Sequence, residues 1–206
     1  MVNFADQGQE KNTVPPLANF ASQIDQFGDL LHRTTITDAN GRALTIPEGL
    51  QAAVHLLTET RANKRQLFLI GNGGSAAVVS HIANDLLKTG HLRVQTLQDP
   101  PMFSCLANDY GYDRVYAEAL TRMGSPHDLL IAVSSSGQSP NILNACARFI
   151  RLGGRVITLS GFTSHNALRP TGELNFWLDA HHYGMVEIGH LFILHYLAEQ
   201  IALRAD

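Results

Sequence analysis

Alternating strand and helix patterns over residues 66–203 predict an α/β fold with a parallel sheet covered on both faces. Three observations carry this expectation. The strand candidates Gln66–Ile70, Arg93–Leu97, Leu129–Ser134, Arg155–Ser160 and Glu173–Leu178 include near-continuous apolar runs, the pattern of strands buried on both sides. Helical spacing recurs at Ser75–Thr89, Asp113–Met123, Ser139–Leu152 and Met185–Leu203, with short connections. Two of the strands also run into small polar residues just before a helix, where open α/β sheets bind ligands.

The N-terminal part reads differently. Residues up to about Pro16 are polar and are expected to be loosely ordered. From Leu17 to Leu31 the apolar positions Leu17, Phe20, Ile24, Phe27, Leu30 and Leu31 recur at helical spacing. A loop is expected around Asp38-Ala39-Asn40-Gly41. A second helix follows from Pro47 to Asn63, with Leu50, Ala53, Val54 and Leu57 on one face. The two helices are placed as a helical hairpin suited to dimerisation. The 206 residues fit one domain, with the N-terminal extension and hairpin over 1–63 and the α/β core over 64–206.

Bulk composition narrows the function classes. A hydrophobic fraction of 45% with 16% charged residues describes a chain that buries a sizeable core and leaves surface for an oligomer. The net charge of −3 supplies no basic field, which argues against a direct nucleic-acid partner. Cys105 and Cys146 both lie in apolar sequence without metal-like spacing and read as reduced core residues. No leader-like segment opens the chain and no apolar run reaches membrane-span length, so a cytoplasmic protein without a membrane partner is expected.

The first polar loop is Gly71-Asn72-Gly73-Gly74-Ser75, after the strand Gln66–Ile70. Such a turn leaves backbone N–H groups facing outward at the positive end of a helix dipole, which suits an anion. Its glycines allow close approach, and Asn72 and Ser75 can add side-chain hydrogen bonds. The plain alternative is a tight turn with no ligand. The second loop, Ser134-Ser135-Ser136-Gly137-Gln138-Ser139, gathers hydroxyl donors before Pro140, a tolerated first-turn proline.

Titratable residues fall on two helices. His81 and Asp85 are four apart and share a face. Glu187 and His195 are eight apart on the last helix, again roughly on one face, with His190 rotated away. Such residues meeting across two helices could bind Zn²⁺ or a similar divalent ion, form an acid/base pair, or be core histidines. His181-His182 reads as a loop pair, and Lys88 as a solvated charge or a phosphate contact. Asn108-Asp109 suits helix capping at a helix start, or hydrogen bonding to sugar hydroxyls.

Gly71–Ser75, His81 with Asp85, Ala107-Asn108-Asp109-Tyr110-Gly111, Ser134–Ser139 and the His-bearing last helix together resemble the sugar isomerase (SIS) domain family, in its phosphoheptose isomerase branch. The resemblance covers nearly the whole chain. It implies a flavodoxin-like, doubly wound five-stranded parallel sheet and a homotetramer with active sites between subunits. The activity implied is interconversion of sedoheptulose 7-phosphate and an aldoheptose 7-phosphate in carbohydrate metabolism, with zinc near the reacting carbons. Carried over, Ser134, Ser135, Ser136 and Ser139 grip phosphate, while Asn72, Gly73 and Gly74 meet the sugar with Asn108 and Asp109. His81 becomes a metal ligand, Asp85 base and ligand, and His195 partner acid and ligand.

Three positions depart from the family pattern. Asp85 stands for a glutamate, Glu187 for a glutamine, and Thr89, beside Lys88, for an arginine. The expected chemistry is metal-assisted enediol transfer, Asp85 taking the proton and His195 protonating the carbonyl oxygen, with the ion held by His81, Asp85, Glu187 and His195. Two other readings remain open. One is a non-catalytic phosphosugar-binding module of the type that associates with the replication initiator. The other is an isomerase or sugar-nucleotide enzyme of the same fold with another substrate.

Overall fold

The computed structural model describes residues 20–204; the predicted helix start at Leu17 and the residues before it lie outside that range. Seven strands form one sheet: β1 (Thr35–Asp38), β2 (Ala43–Leu44), β3 (Gln66–Ile70), β4 (Arg93–Thr96), β5 (Leu129–Ser134), β6 (Arg155–Ser160) and β7 (Leu174–Trp177). Their spatial order is β2-β1-β7-β6-β5-β3-β4. The last five are mutually parallel, and β1 runs antiparallel to both β2 and β7.

The expected five-stranded sheet is therefore corrected to seven, and the N-terminal helical hairpin is replaced. α1 (Phe20–His32) and α2 (Ile46–Ala62) are separated by the β1–β2 hairpin, and α1 packs on the last helix. The hairpin turns at Asp38–Gly41, where Asp38 Oδ1 accepts from the amides of Asn40 and Arg42 and Gly41 takes φ +76°. The segment 35–44 thus belongs to the sheet. α2 starts on a capping box, in which Thr45 and Glu48 satisfy each other's backbone N–H.

Side-chain alternation along the parallel strands builds two cores. Leu67, Leu69, Leu129, Ile131, Val133, Ile157 and Leu159 face one way and pack against α2, α3 (Gly73–Lys88) and α7 (Tyr183–Ala202). Phe68, Ile70, Leu130, Ala132 and Val156 face the other way, under α5 (Val115–Met123) and α6 (Pro140–Arg151). This makes the sheet doubly wound. Among the described residues no helix is long and apolar enough to cross a membrane.

One helix lies where the sequence pattern shows none. α4 (Pro100–Tyr110) starts on the Asp99 cap, so Asn108 and Asp109 sit at its C-terminal end and do not cap a helix start. Cys105 on this helix is exposed, against the expectation of a core residue, whereas Cys146 is fully buried. Burial pushes the Cys146 thiol up to about 12, which keeps it protonated and inert.

His190 is fully buried, its Nε2 lying 3.1 Å from the Ser160 carbonyl. Only a protonated Nε2 can meet a carbonyl, so Nδ1 holds the lone pair, in a place with no partner. Burial drops its pKa from 6.5 to about 4. The unfolded chain therefore binds the extra proton between those values. Stability should be full above about 6.5 and decline as pH falls towards 4. Melting temperature measured against pH should show this slope, and His190→Asn should flatten it.

Candidate active site

Taken alone, the parallel strands read 2-1-3-4-5 in chain order, so the winding reverses between β3 and β5. A crevice opens outside the strand ends at such a switch point, and ligands bind there. The loops leaving those two strands are Gly71–Ser75 and Ser134–Ser139. Both lead into helices whose N-cap side chains make no capping bond, Asn72 before α3 and Ser139 before α6.

The serine loop is tightly built. Gly137, at φ +62°, donates its amide to Ser134 Oγ, and Ser134 Oγ lies 3.3 Å from Ser139 Oγ. Ser135 is buried with an Oγ that has no hydrogen-bond partner. A buried hydroxyl without a partner costs about 1–3 kcal/mol, a cost that a ligand oxygen would remove. Ser135→Ala is accordingly expected to raise the melting temperature, as calorimetry can check.

The glycine turn is anchored from below. Tyr116 donates its hydroxyl to the Gly71 carbonyl at 2.5 Å, and burial pushes that phenol up to about 12, so it remains a donor. Gly73 takes φ +52°. Ser75 is buried in the first turn. Beside the turn a cavity of about 390 Å³ is lined by Gln98, Phe103, Tyr112 and Tyr116. Asn108 donates to Asp109 at 3.0 Å on the exposed end of α4, two residues before the Gly111 bend that turns the chain towards Tyr112.

α3 and α7 pack side by side and parallel, Gly74 facing Glu187 and His81 facing His195. That register gathers His81, Asp85 and His195, whose ligand atoms lie within 4.8 Å of one another. The two Nε2 atoms are 3.1 Å apart, and His195 Nδ1 is 3.4 Å from Asp85 Oδ2. His81 is exposed and the other two are half-buried. Two imidazoles and a carboxylate with an open side match the donor set of a catalytic zinc site.

Glu187 does not join that group. Two helical turns separate it from His195, roughly 12 Å along the axis. Its carboxylate lies instead against the first turn of α3, where a Cβ at residue 74 would come within 2.3 Å of Oε2. Of the four expected ligands the structure brings three together, His81, Asp85 and His195. His181 and His182 are exposed in the loop before α7, His181 stacking on Phe162, and Lys88 is exposed at the end of α3.

Comparison with known proteins bears on this geometry. Residues 41–161 match the family model described as SIS domain. The phosphoheptose isomerase of Aromatoleum aromaticum is 30% identical over 187 residues, covering 84% of this chain and 94% of that protein. The chain belongs to the SIS domain family. Within that family it groups with the phosphoheptose isomerases. The Helicobacter pylori (strain P12) phosphoheptose isomerase is 29% identical over 163 residues, 76% of this chain and 84% of that protein. A solved phosphoheptose isomerase from Francisella tularensis superposes with a TM-score of 0.78 at 22% identity, covering 91% of this chain and 98% of that one, and so shares the SIS fold.

Proposed function

We propose that this SIS protein is a phosphosugar isomerase that interconverts sedoheptulose 7-phosphate and an aldoheptose 7-phosphate. The observation that carries the reading is the pair of loops at the β3/β5 switch point, both with unspent donors, in a chain that groups with phosphoheptose isomerases. Ser134, Ser135, Ser136 and Ser139 take the phosphate. Gly73, Gly74, Ser75 and Asn72 receive the sugar, with Asn108 and Asp109 as further hydroxyl partners.

Isomerisation needs a base at the carbon beside the carbonyl and an acid at the carbonyl oxygen, exchanging roles through an enediol. Asp85 is assigned the base and His195 the acid; Asp85 Oδ2 lies 3.4 Å from His195 Nδ1. His81, Asp85 and His195 would hold Zn²⁺ or another divalent ion, which when bound supplies polarisation of the sugar oxygens. Metal analysis of the purified protein is expected to find one divalent ion per chain, lost in His81→Ala and His195→Ala. Metal-free wild-type protein with full turnover would reject the metal role.

His81 lies seven residues beyond Gly74, roughly 10 Å along α3. A homotetramer with the site between subunits fits that separation, one chain's loops receiving another chain's His–Asp–His group. Exposed Ile188, Phe192 and Tyr196 along α7, with Phe20 and Ile24 on α1, support such an interface. The whole chain then acts as a single SIS domain in cytoplasmic carbohydrate metabolism. The rival reading, a phosphosugar-binding module without turnover, draws on the shorter arm of Asp85. Turnover of sedoheptulose 7-phosphate by purified protein, followed by NMR, separates the two.

A further inference from the structure

Asn72 stands at the N-cap of α3, where an asparagine side chain usually accepts an amide of the first turn. It does not do so here. Its Nδ2 donates to Asn141 Oδ1 at 2.9 Å, and its Oδ1 accepts from Asn141 Nδ2 at 2.8 Å. Tyr112 donates its hydroxyl to the same Oδ1 at 3.3 Å. Asn141 is 1% exposed, and its Oδ1 also accepts the amide of Ile142 at 3.0 Å. The two amides therefore form a closed, reciprocal pair between the glycine turn and the helix that follows the serine loop.

The geometry points to Asn141 as a positioning residue of the active site, acting through Asn72 to hold the sugar turn at a set distance from the phosphate loop. Two consequences follow from the bonding. Asn72 has its carbonyl oxygen doubly engaged and retains one N–H for a substrate, so its main task is structural alignment. Because its side chain is spent on Asn141, the first-turn amides of α3 stay free at the sugar turn. A substrate gripped at its phosphate by one loop then has its reacting end delivered by the other. Alignment of this kind matters most in the chemical step, since a displacement of about 1 Å can cost roughly 10²-fold in rate.

This inference rests on the isomerase reading, and the experiment keeps the two apart. Asn141→Ala, Asn72→Ala and the double variant are compared with wild type in melting temperature, inorganic phosphate affinity, and kcat and KM for sedoheptulose 7-phosphate. Asn141→Ala is expected to fold and to keep its phosphate affinity. Its kcat should fall about 10–100-fold, with KM changing far less. The double variant should lose little more than either single one, because both remove the same pair. Wild-type kcat in a folded Asn141→Ala, or single losses that simply multiply, would overturn the inference.

Where Asn141→Ala fails to fold, Asn141→Asp replaces it. That residue still accepts from Asn72 Nδ2 and Ile142 N but cannot donate to Asn72 Oδ1, so a smaller fall in kcat is expected; an unchanged kcat would overturn the clamp. If wild type binds sedoheptulose 7-phosphate without turnover, the isomerase reading fails alone. The clamp is then judged by affinity: Asn141→Ala should bind the sugar phosphate about tenfold more weakly while inorganic phosphate binds as before. Equal affinity for the sugar phosphate would contradict it.

Discussion

Asp85→Asn is expected to lower kcat by about 10²–10⁴-fold, the usual contribution of a positioned general base, while sedoheptulose 7-phosphate still binds. The amide keeps the shape of the carboxylate and cannot take the proton. Asp85 lies 3.9 Å from His81 Nε2 and 3.4 Å from His195 Nδ1, so its substitution touches both histidines. A single-turnover assay with binding measured separately distinguishes lost chemistry from lost affinity. Asp85→Glu, which restores the missing methylene, should retain far more activity than Asp85→Asn. An Asp85→Asn enzyme with an unimpaired rate would remove Asp85 from the mechanism.

Gly137→Ala should damage both stability and phosphate binding. The residue sits at φ +62°, and a Cβ there would come within 2.1 Å of Asn166 Oδ1. Asn166 cannot give way cheaply. It is buried, its Nδ2 donates to Ser160 Oγ and to the carbonyls of Gly161 and Thr163, and its Oδ1 accepts the Arg169 amide. Left-handed backbone with a side chain costs ~1–2 kcal/mol and forced overpacking ~1–3 kcal/mol. For a chain of this size the melting temperature should fall by about 5–15 °C. Because Gly137 N also donates to Ser134 Oγ, inorganic phosphate affinity should fall with it.

The parallel sheet was legible because its strands are buried on both faces and so read as continuous apolar runs; β5 is buried at every position. The elements without a sequence signature lack such runs. β1 and β2 are four and two residues long, and β1 buries a single side chain, Ile36. α4 opens on two prolines and has no fully buried residue, so no apolar stripe announces it. The small-residue loops after β3 and β5 were legible in sequence, as was the shared helix face of His81 and Asp85 from their spacing.

The meeting of that pair with His195 depends on the parallel register of α3 and α7, which spacing within one helix cannot reveal. The same holds for Glu187, which shares a helix face with His195 and lies two turns from it along the axis. Asn141 carried no local signal at all: its partner is 69 positions away, and in sequence it reads as an ordinary first-turn residue of α6.

One measurement tests the central claim most directly. Purified wild-type protein is incubated with sedoheptulose 7-phosphate in D₂O and followed by NMR. Transfer through an enediol predicts formation of an aldoheptose 7-phosphate with solvent deuterium appearing at the carbon next to the carbonyl. A ketose that stays bound, unconverted and undeuterated would contradict the account and leave a binding module on an isomerase fold.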